Sequence, residues 1–416
     1  MPCCFKRGEE MKAQLRTKEL LEQFNLSRQT LYNWIREGNV STPEKDWRGW
    51  RMWTEDHVIE ISSIIKGKEA KLSEPTLKNT KLNINNRRYL GSKYKLLDFI
   101  SKVVEENCEE IHTVADIFGG TGVVADRFKT EGKKIIINDI LYSNYLSYWT
   151  WFSSEDVNLE KINTIITDFN NTEVVDNNYV SEHFGGTYFT EDNARKIGYI
   201  RESIEQIADT LTFREKAVLI TSLLYAMDKV ANTVGHYDAY RRKLDSLGKL
   251  NLLVPSISEN NNQENRIYQK DANTLVRDIH ADLFYIDTPY NSRQYGDAYH
   301  LLENISEWKQ QEVIGVAKKM VDRTHIKSDY CTLKAPKAFE DLISNINGKY
   351  ILVSYNNMAE KGVGRSNAKI SAEEIMETLQ KRGEVQVFET NFKVYTTGKT
   401  NIEGHKELLY LCKIDG

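Results

Sequence analysis

Cysteine is scarce in this chain, with five residues at positions 3, 4, 108, 331 and 412 of 416. Scattered in this way they draw no even disulfide framework, which points to a reducing, cytoplasmic setting. Neither C-x-x-C nor H-x-x-x-H spacing occurs among the five Cys and eight His, so the usual signals of a zinc site are missing and no metal is expected. Cys3-Cys4 reads as an exposed pair near a chain end. The longest mostly apolar run, Ala217 to Met227, falls far short of the roughly 20 residues that cross a bilayer, and no membrane partner is expected. The N-terminus, Met1-Pro-Cys-Cys-Phe-Lys-Arg7, lacks the apolar core of a secretory signal. No G-x-x-x-x-G-K-[ST] run supports ATP-driven chemistry, and there is no repeat of solenoid period.

What is present is an ordinary globular composition: 40% hydrophobic and 28% charged residues, with 22 Tyr and 7 Trp. At about 150 residues per domain the length suggests two or three domains. A net charge of −4 does not advertise a nucleic-acid partner, but a whole-chain total can hide a basic face. Residues 71–100 carry Lys71, Lys78, Lys81, Arg87, Arg88, Lys93 and Lys95 against Glu74 and Asp98 alone. Charge by itself leaves that stretch open as a phosphate-facing stripe or a solvated linker.

The pattern along the chain divides into zones. Thr17 to Phe24 predicts a short amphipathic helix, Asn25-Leu-Ser27 a tight turn, and Arg28 to Glu37 a second helix stopped by Gly38. Leu20, Leu21 and Phe24 would pack on Leu31, Trp34 and Ile35, leaving Arg28, Gln29, Tyr32, Asn33 and Arg36 outward. Turn formers and three Trp follow between Asn39 and Trp53, then a helix begun by Thr54-Glu-Asp. This order resembles a MerR-type winged helix-turn-helix over roughly residues 12–70 of a first domain taken as 1–70, which implies DNA contact by Arg28, Gln29, Tyr32 and Arg36; a two-helix packing unit without DNA contact is the alternative. Residues 71–86 read as a polar linker.

From Arg87 the pattern alternates. A buried strand is predicted at Thr113–Phe118, a tight loop at Gly119-Gly-Thr-Gly122, a helix from Val123 to Thr130 and a strand at Lys134–Asn138, together a βαβ unit. Residues 143–265 read as mostly helical, with Asn-rich breaks at Asn170-Asn171 and Asn260–Asn262. Strand signals return at Asp282–Ile286, Lys349–Ser354, Val385–Thr396 and Leu408–Ile414, so an α/β sheet closed by an antiparallel hairpin is expected.

Two loops carry the chemistry. Gly119 to Gly122 sits between strand and helix, where small residues let backbone N–H groups approach a ligand. It fits the dinucleotide fingerprint G-x-G-x-x-G poorly; Asp116-Ile-Phe118-Gly119-Gly120-Thr-Gly122 instead resembles motif I of S-adenosylmethionine-dependent methyltransferases. Asp139, ending the next strand, is either a ribose acceptor or a plain turn carboxylate. The second loop, Asp287-Thr288-Pro289-Tyr290, follows the strand Leu283–Ile286, at the edge where open α/β sheets bind ligands. It resembles the D-P-P-Y motif of amino-group DNA methyltransferases, with Thr288 in place of the first Pro.

The amine of adenine is a poor nucleophile because its lone pair is delocalised into the ring. A carboxylate at Asp287 and the Thr288 carbonyl would each accept one N–H and localise that pair, while Tyr290 stacks on the extruded base, roughly 1–3 kcal/mol per base. Other segments resemble the Dam-like adenine-N6 DNA methyltransferases of restriction-modification systems: Arg88-Tyr89-Leu-Gly-Ser-Lys93 as an N-terminal cofactor element, Asn138-Asp139-Ile140 with Tyr148 as motif II, and Gln269-Lys-Asp271 as motif III. Asn291 to Tyr295, Tyr299 to Glu303 and Ser354-Tyr-Asn356 resemble its continuation.

That resemblance spans residues 87–416. It implies a Rossmann-like methyltransferase core at 87–142 and 266–416, S-adenosylmethionine held by Tyr89, Lys93, Asp116, Phe118, Gly119, Gly120, Gly122, Asp139 and Asp271, and double-stranded DNA as substrate. It further implies a target-recognition insert at 143–265, with DNA contact by His236, Tyr237, Tyr240, Arg241 and Arg242, and a restriction endonuclease encoded separately. Methylation of cytosine N4 or of RNA adenine, and a ligand-sensing helix-turn-helix regulator, stand as alternatives.

Overall fold

The computed structural model describes residues 15–24, 26, 28–36, 38–73, 81–244, 248–258, 261–356, 368–391 and 406–415. The predicted turn residues Asn25 and Ser27, the pair Cys3-Cys4, and Asn260 of the Asn-rich break lie outside them. The chain divides into two compact units, residues 1–80 and 81–416.

In the first unit helices α1 (Thr17–Gln23), α2 (Arg28–Arg36) and α3 (Glu55–Ser73) surround a core of Leu20, Leu31, Trp34, Val40, Trp53 and Ile61. Leu21, Phe24 and Ile35 pack against it, as their helical spacing predicts. The segment between α2 and α3 folds back on itself, with antiparallel bridges Lys45 to Arg51 and Leu15 to Trp53, and the Trp53 indole donates to Thr17 Oγ1 at 3.0 Å. These contacts describe a helix pair with a short β-turn arm.

The second unit is built on seven strands, β1 (Thr113–Asp116), β2 (Lys134–Asn138), β3 (Arg266–Tyr268), β4 (Leu283–Ile286), β5 (Tyr350–Asn356), β6 (Gly383–Asn391) and β7 (Lys406–Ile414). They form one sheet in the order β3-β2-β1-β4-β5-β7-β6, parallel except for β7, which runs antiparallel to both β5 and β6. The sheet explains the near-continuous apolar runs of its central strands, since both faces are covered. Val114, Leu283, Tyr285 and Leu352 meet α4 (Leu97–Asn107), α5 (Val123–Thr130) and α6 (Tyr142–Phe152) on one face. Ala115, Phe284, Ile286, Ile351 and Val353 meet α11 (Ala272–Leu275), α14 (Ala335–Ser344) and α15 (Ala372–Gln380) on the other. The period-2 alternation along β4 thus feeds two cores.

Helices α7 (Leu159–Asn171), α8 (Tyr179–Phe184), α9 (Glu191–Gln206) and α10 (Phe213–Val230) fill the middle of the chain. The helical part of the predicted stretch ends at Val230, because the described residues from Ala231 to Asn265 run as bends, turns and extended chain. Nor does this stretch close on itself. Its apolar core is completed by Ala298 and Tyr299 at the end of α12 (Tyr295–Ala298), by Leu301, Leu302 and Ile305 of α13 (His300–Glu307), and by Met320 and Ile326. Edge strand β3 is a second departure from expectation, three residues paired to β2 with too little length to show periodicity. No described helix is long and apolar enough to cross a membrane.

Two of the seven basic residues at 71–100 turn inward rather than towards a polyanion. Arg87 and Lys93 are 6% and 7% exposed, each facing buried carboxylates.

Candidate active site

Strand order reverses between β1 and β4, and the loops leaving their carboxyl ends face each other there, the position where open α/β sheets hold ligands. A cavity of about 600 Å³ opens between them, within the size range of small-molecule sites.

The loop after β1 is shaped by glycine. Gly120 and Gly122 adopt φ of +52° and +79°, which side-chain-bearing residues rarely hold. Gly119 is needed for space, since a Cβ there would lie 2.7 Å from Tyr148 Oη and 2.8 Å from Ile137 Cγ1. A Cβ on Gly120 would press on the Tyr89 ring at 3.1 Å. The loop is tied down by Gly119 N donating to Asn138 O, by the Tyr148 hydroxyl donating to Gly120 O, and by Gly120 N donating to Asp139 Oδ2. Asp139 also accepts from Leu141 N and Asn144 Nδ2 at 2.9 Å each, so its carboxylate clamps the glycine loop to α6. Burial raises its pKa, and these hydrogen bonds oppose the rise. Gly122 stands behind the cavity wall as the N-cap of α5.

Asp116, at the end of β1, is 1% exposed and its Oδ1 has no hydrogen-bond partner among the described residues. Burial, then the Asp287 and Asp139 carboxylates, hold its pKa well above the carboxylate range. A buried acceptor left open on a cavity wall calls for a donor from a bound molecule. Tyr89 forms another wall: its ring stacks on Tyr299 at 4.5 Å and 4° and tilts against Tyr295 at 5.5 Å, while its hydroxyl accepts from Asn144. At the far end Phe118 meets Tyr330 edge-on at 5.1 Å, and the Tyr330 hydroxyl donates to Asn273 Oδ1. Asp271 lines this end while capping α11 through Thr274 N.

The loop after β4 completes the cavity with Asp287, Thr288, Pro289 and Tyr290. Asp287 Oδ1 lies 3.1 Å from Lys93 Nζ, with about a fifth of the side chain exposed. Burial raises its pKa to about 6, opposed by Lys93 and assisted by Glu407. Burial pulls Lys93 down, but the Asp287 and Glu407 carboxylates more than offset this, and its pKa ends well above the usual amine value. Thr288 is 2% exposed, and its Oγ1 has no hydrogen-bond partner among the described residues. Tyr290 packs edge-on against Tyr355 at 5.8 Å and presents a partly buried ring to the cavity.

Residues 89–363 match the D12 class N6 adenine-specific DNA methyltransferase family. The chain belongs to that family. It is 38% identical over 288 residues to the modification methylase StsI of Streptococcus sanguinis, covering 65% of this chain and 44% of that protein. It is 35% identical over 296 residues to the Type II methyltransferase M.FokI of Planomicrobium okeanokoites, with the same coverage of each chain. The Type II methyltransferase M.NlaIII of Neisseria lactamica is 30% identical over 331 residues, 76% of this chain and 95% of the relative. The chain thus spans less than half the length of the first two relatives and nearly all of the third.

The sequence-predicted cofactor and catalytic residues Tyr89, Lys93, Asp116, Phe118, Gly119, Gly120, Asp139, Asp271 and Asp287–Tyr290 all meet on this one cavity. Lys93 takes its place by binding Asp287 and Glu407. Tyr330 and Asn273 were not legible, lying far apart in sequence with no motif around them; Glu407 likewise carries no local signal.

The expected DNA-contact residues fall in two places. In the first unit Arg28 and Arg36 are exposed on α2, and the Arg51 guanidinium stacks over Tyr32 at 4.7 Å. The Gln29 side chain lies outside the described residues. In the second unit Arg241 and Arg242 are exposed, Tyr240 is half-buried edge-on to Tyr188, and His236 lies 3.9 Å from Asp238. Tyr237 departs from expectation. It is 2% exposed and its hydroxyl donates to Asp228 Oδ1 at 2.7 Å, so it is a packing residue with no face to offer DNA.

Proposed function

We propose that this protein transfers a methyl group from S-adenosylmethionine to the N6 amine of an adenine flipped out of duplex DNA, as the site-specific modification enzyme of a restriction-modification system. The observation that carries the reading is a carboxylate at the tip of β4 sharing one cavity with a glycine loop and an unpartnered buried acceptor on the adjacent strand. Family membership supports it, as do the relatives named modification methylases.

The residues fit the cofactor. Asp116 Oδ1 supplies an acceptor lacking a donor among the described residues, and the glycine loop admits a ligand against its backbone. Tyr89, Phe118, Asp139 and Asp271 line the same space. S-adenosylmethionine supplies an electrophilic methyl on a positively charged sulfur. Asp287 and the Thr288 carbonyl each accept one N–H of the target amine, which gathers its lone pair on nitrogen. With its pKa at about 6, Asp287 is ionised at neutral pH and basic enough to take up the proton shed as the N–C bond forms. Tyr290 stacks on the extruded base and offsets part of the flipping cost of a few kcal/mol. Catalysis then rests on positioning and on charge complementarity.

The outlying parts serve DNA. The N-terminal helix pair is read as a MerR-like helix-turn-helix that aids delivery, with Arg28, Gln29, Tyr32 and Arg36 towards the duplex. The 143–265 region, through His236, Tyr240, Arg241 and Arg242, is read as taking part in target recognition. The cognate nuclease is a separately encoded functional partner. Transfer of radiolabelled methyl to unmethylated duplex DNA, followed by digestion to nucleosides, tests the reading. N6-methyladenine is expected, and it should vanish with Asp287→Ala; label on cytosine or on RNA alone would overturn it.

A further inference from the structure

Behind Lys93, outside the cavity lining, stands a charged group that no motif marks. Glu407 on β7 is 6% exposed, and its Oε1 accepts from Lys93 Nζ at 2.6 Å and from Ser354 Oγ on β5 at 2.8 Å. The same ammonium lies 3.1 Å from Asp287 Oδ1. Two carboxylates therefore share one cation, and the shorter contact belongs to the residue farther from the cavity. With Asp287 ionised, the three groups carry one net negative charge in a poorly solvated wall. Such a wall favours a cationic ligand over a neutral one, and low effective dielectric makes the preference large.

We propose that Glu407 is a positioning residue: it holds the Lys93 ammonium away from full engagement with Asp287, and supplies the charge that makes this wall prefer a sulfonium over a thioether. The inference rests on the reading of Asp287 as the acceptor for the target amine. Without the Glu407 charge, Lys93 becomes the exclusive partner of Asp287 and makes it a weaker hydrogen-bond acceptor. Loss of a like charge nearby also lowers the pKa of Asp287 and so weakens it as a proton acceptor. A purely structural Glu407 would do neither, because Gln of the same shape still accepts from Lys93 and Ser354.

The test uses the full chain and Glu407→Gln. Calorimetric titration with S-adenosylmethionine and with S-adenosylhomocysteine, its neutral thioether counterpart, should show about tenfold weaker binding of the first and less than about twofold change in the second. The acid limb of kcat/KM for DNA methylation should move down by about one pH unit, with kcat reduced. Equal weakening of both ligands, or an acid limb that stays in place, overturns the proposal. Should Glu407→Gln fail to fold, Glu407→Asp decides instead, since it keeps the charge while changing the shape: the preference for the sulfonium ligand over the thioether is expected to stay within about twofold of wild type, and a loss of that preference of about tenfold overturns the proposal. A wild-type chain that methylates no DNA would sink the reading of the reaction, while the two-ligand comparison still judges Glu407.

Discussion

Replacing Asp287 by Asn should make the protein more stable and inactive at once. The folded chain holds this carboxyl at about 6 against an ordinary 3.8, chiefly through burial, so ionising it in place costs about 3 kcal/mol more than in the unfolded chain. Because a fifth of the side chain meets solvent, about 2–3 kcal/mol is the fair range. The sign follows from proton binding. Between pH 4 and 6 the folded state holds more protons than the unfolded one, so this residue subtracts stability as pH rises through that window and the whole penalty is present at pH 8.

Asn mimics the neutral acid and escapes the penalty, while Lys93 keeps Glu407 as its partner. Urea unfolding of wild type and Asp287→Asn, compared at pH 5 and pH 8, should therefore show the variant gaining about half the full difference at pH 5 and all of it at pH 8. Methyl transfer should fall about 10²–10³-fold, the usual loss when one charge-stabilising group is removed. A variant less stable than wild type at pH 8, or a difference that does not change with pH, would refute the account of Asp287 as a carboxylate held ionised against its burial.

Gly120→Ala sets a Cβ 3.1 Å from the Tyr89 ring at a φ of +52°, and should weaken S-adenosylmethionine binding at least tenfold, measured by calorimetry, with a stability loss of about 1–3 kcal/mol. Tyr290→Phe should keep most of the methylation rate, whereas Tyr290→Ala should lose about 1–3 kcal/mol of base stacking, read as a weaker fluorescence change of 2-aminopurine placed at the target position. A chain starting at Lys81, where the second compact unit begins, should retain methyl transfer but bind DNA more weakly and with a shallower salt dependence. Loss of all activity in a folded truncation would instead make the first unit indispensable for delivery. Arg87→Ala strands the buried Asp228, whose pKa burial already raises, and should cost about 3–5 kcal/mol in denaturant unfolding.

Local sequence alone determined helices α1 and α2 of the first unit, the β1-loop-α5-β2 segment and strand β4 with its Asp287 tip. Each is written in short-range terms: apolar spacing at 3.6 or 2 residues, glycines where φ must be positive, and a carboxylate at a strand end. Only the tertiary structure decided which distant residues share the cavity. Tyr330 reaches Phe118 in the cavity, and behind the lining Glu407 reaches Lys93 across more than 300 positions, because β7 runs antiparallel between β5 and β6 and sets its first residues beside the carboxyl end of β5. Tertiary packing also reversed two readings of polarity. Arg87, part of a basic stretch, and Tyr237, part of an aromatic and basic one, are both turned inward to the Asp228 carboxylate. A count of charges along the chain registers only that such groups are present; whether they face water or a buried counter-charge depends on desolvation, and that is set by the fold.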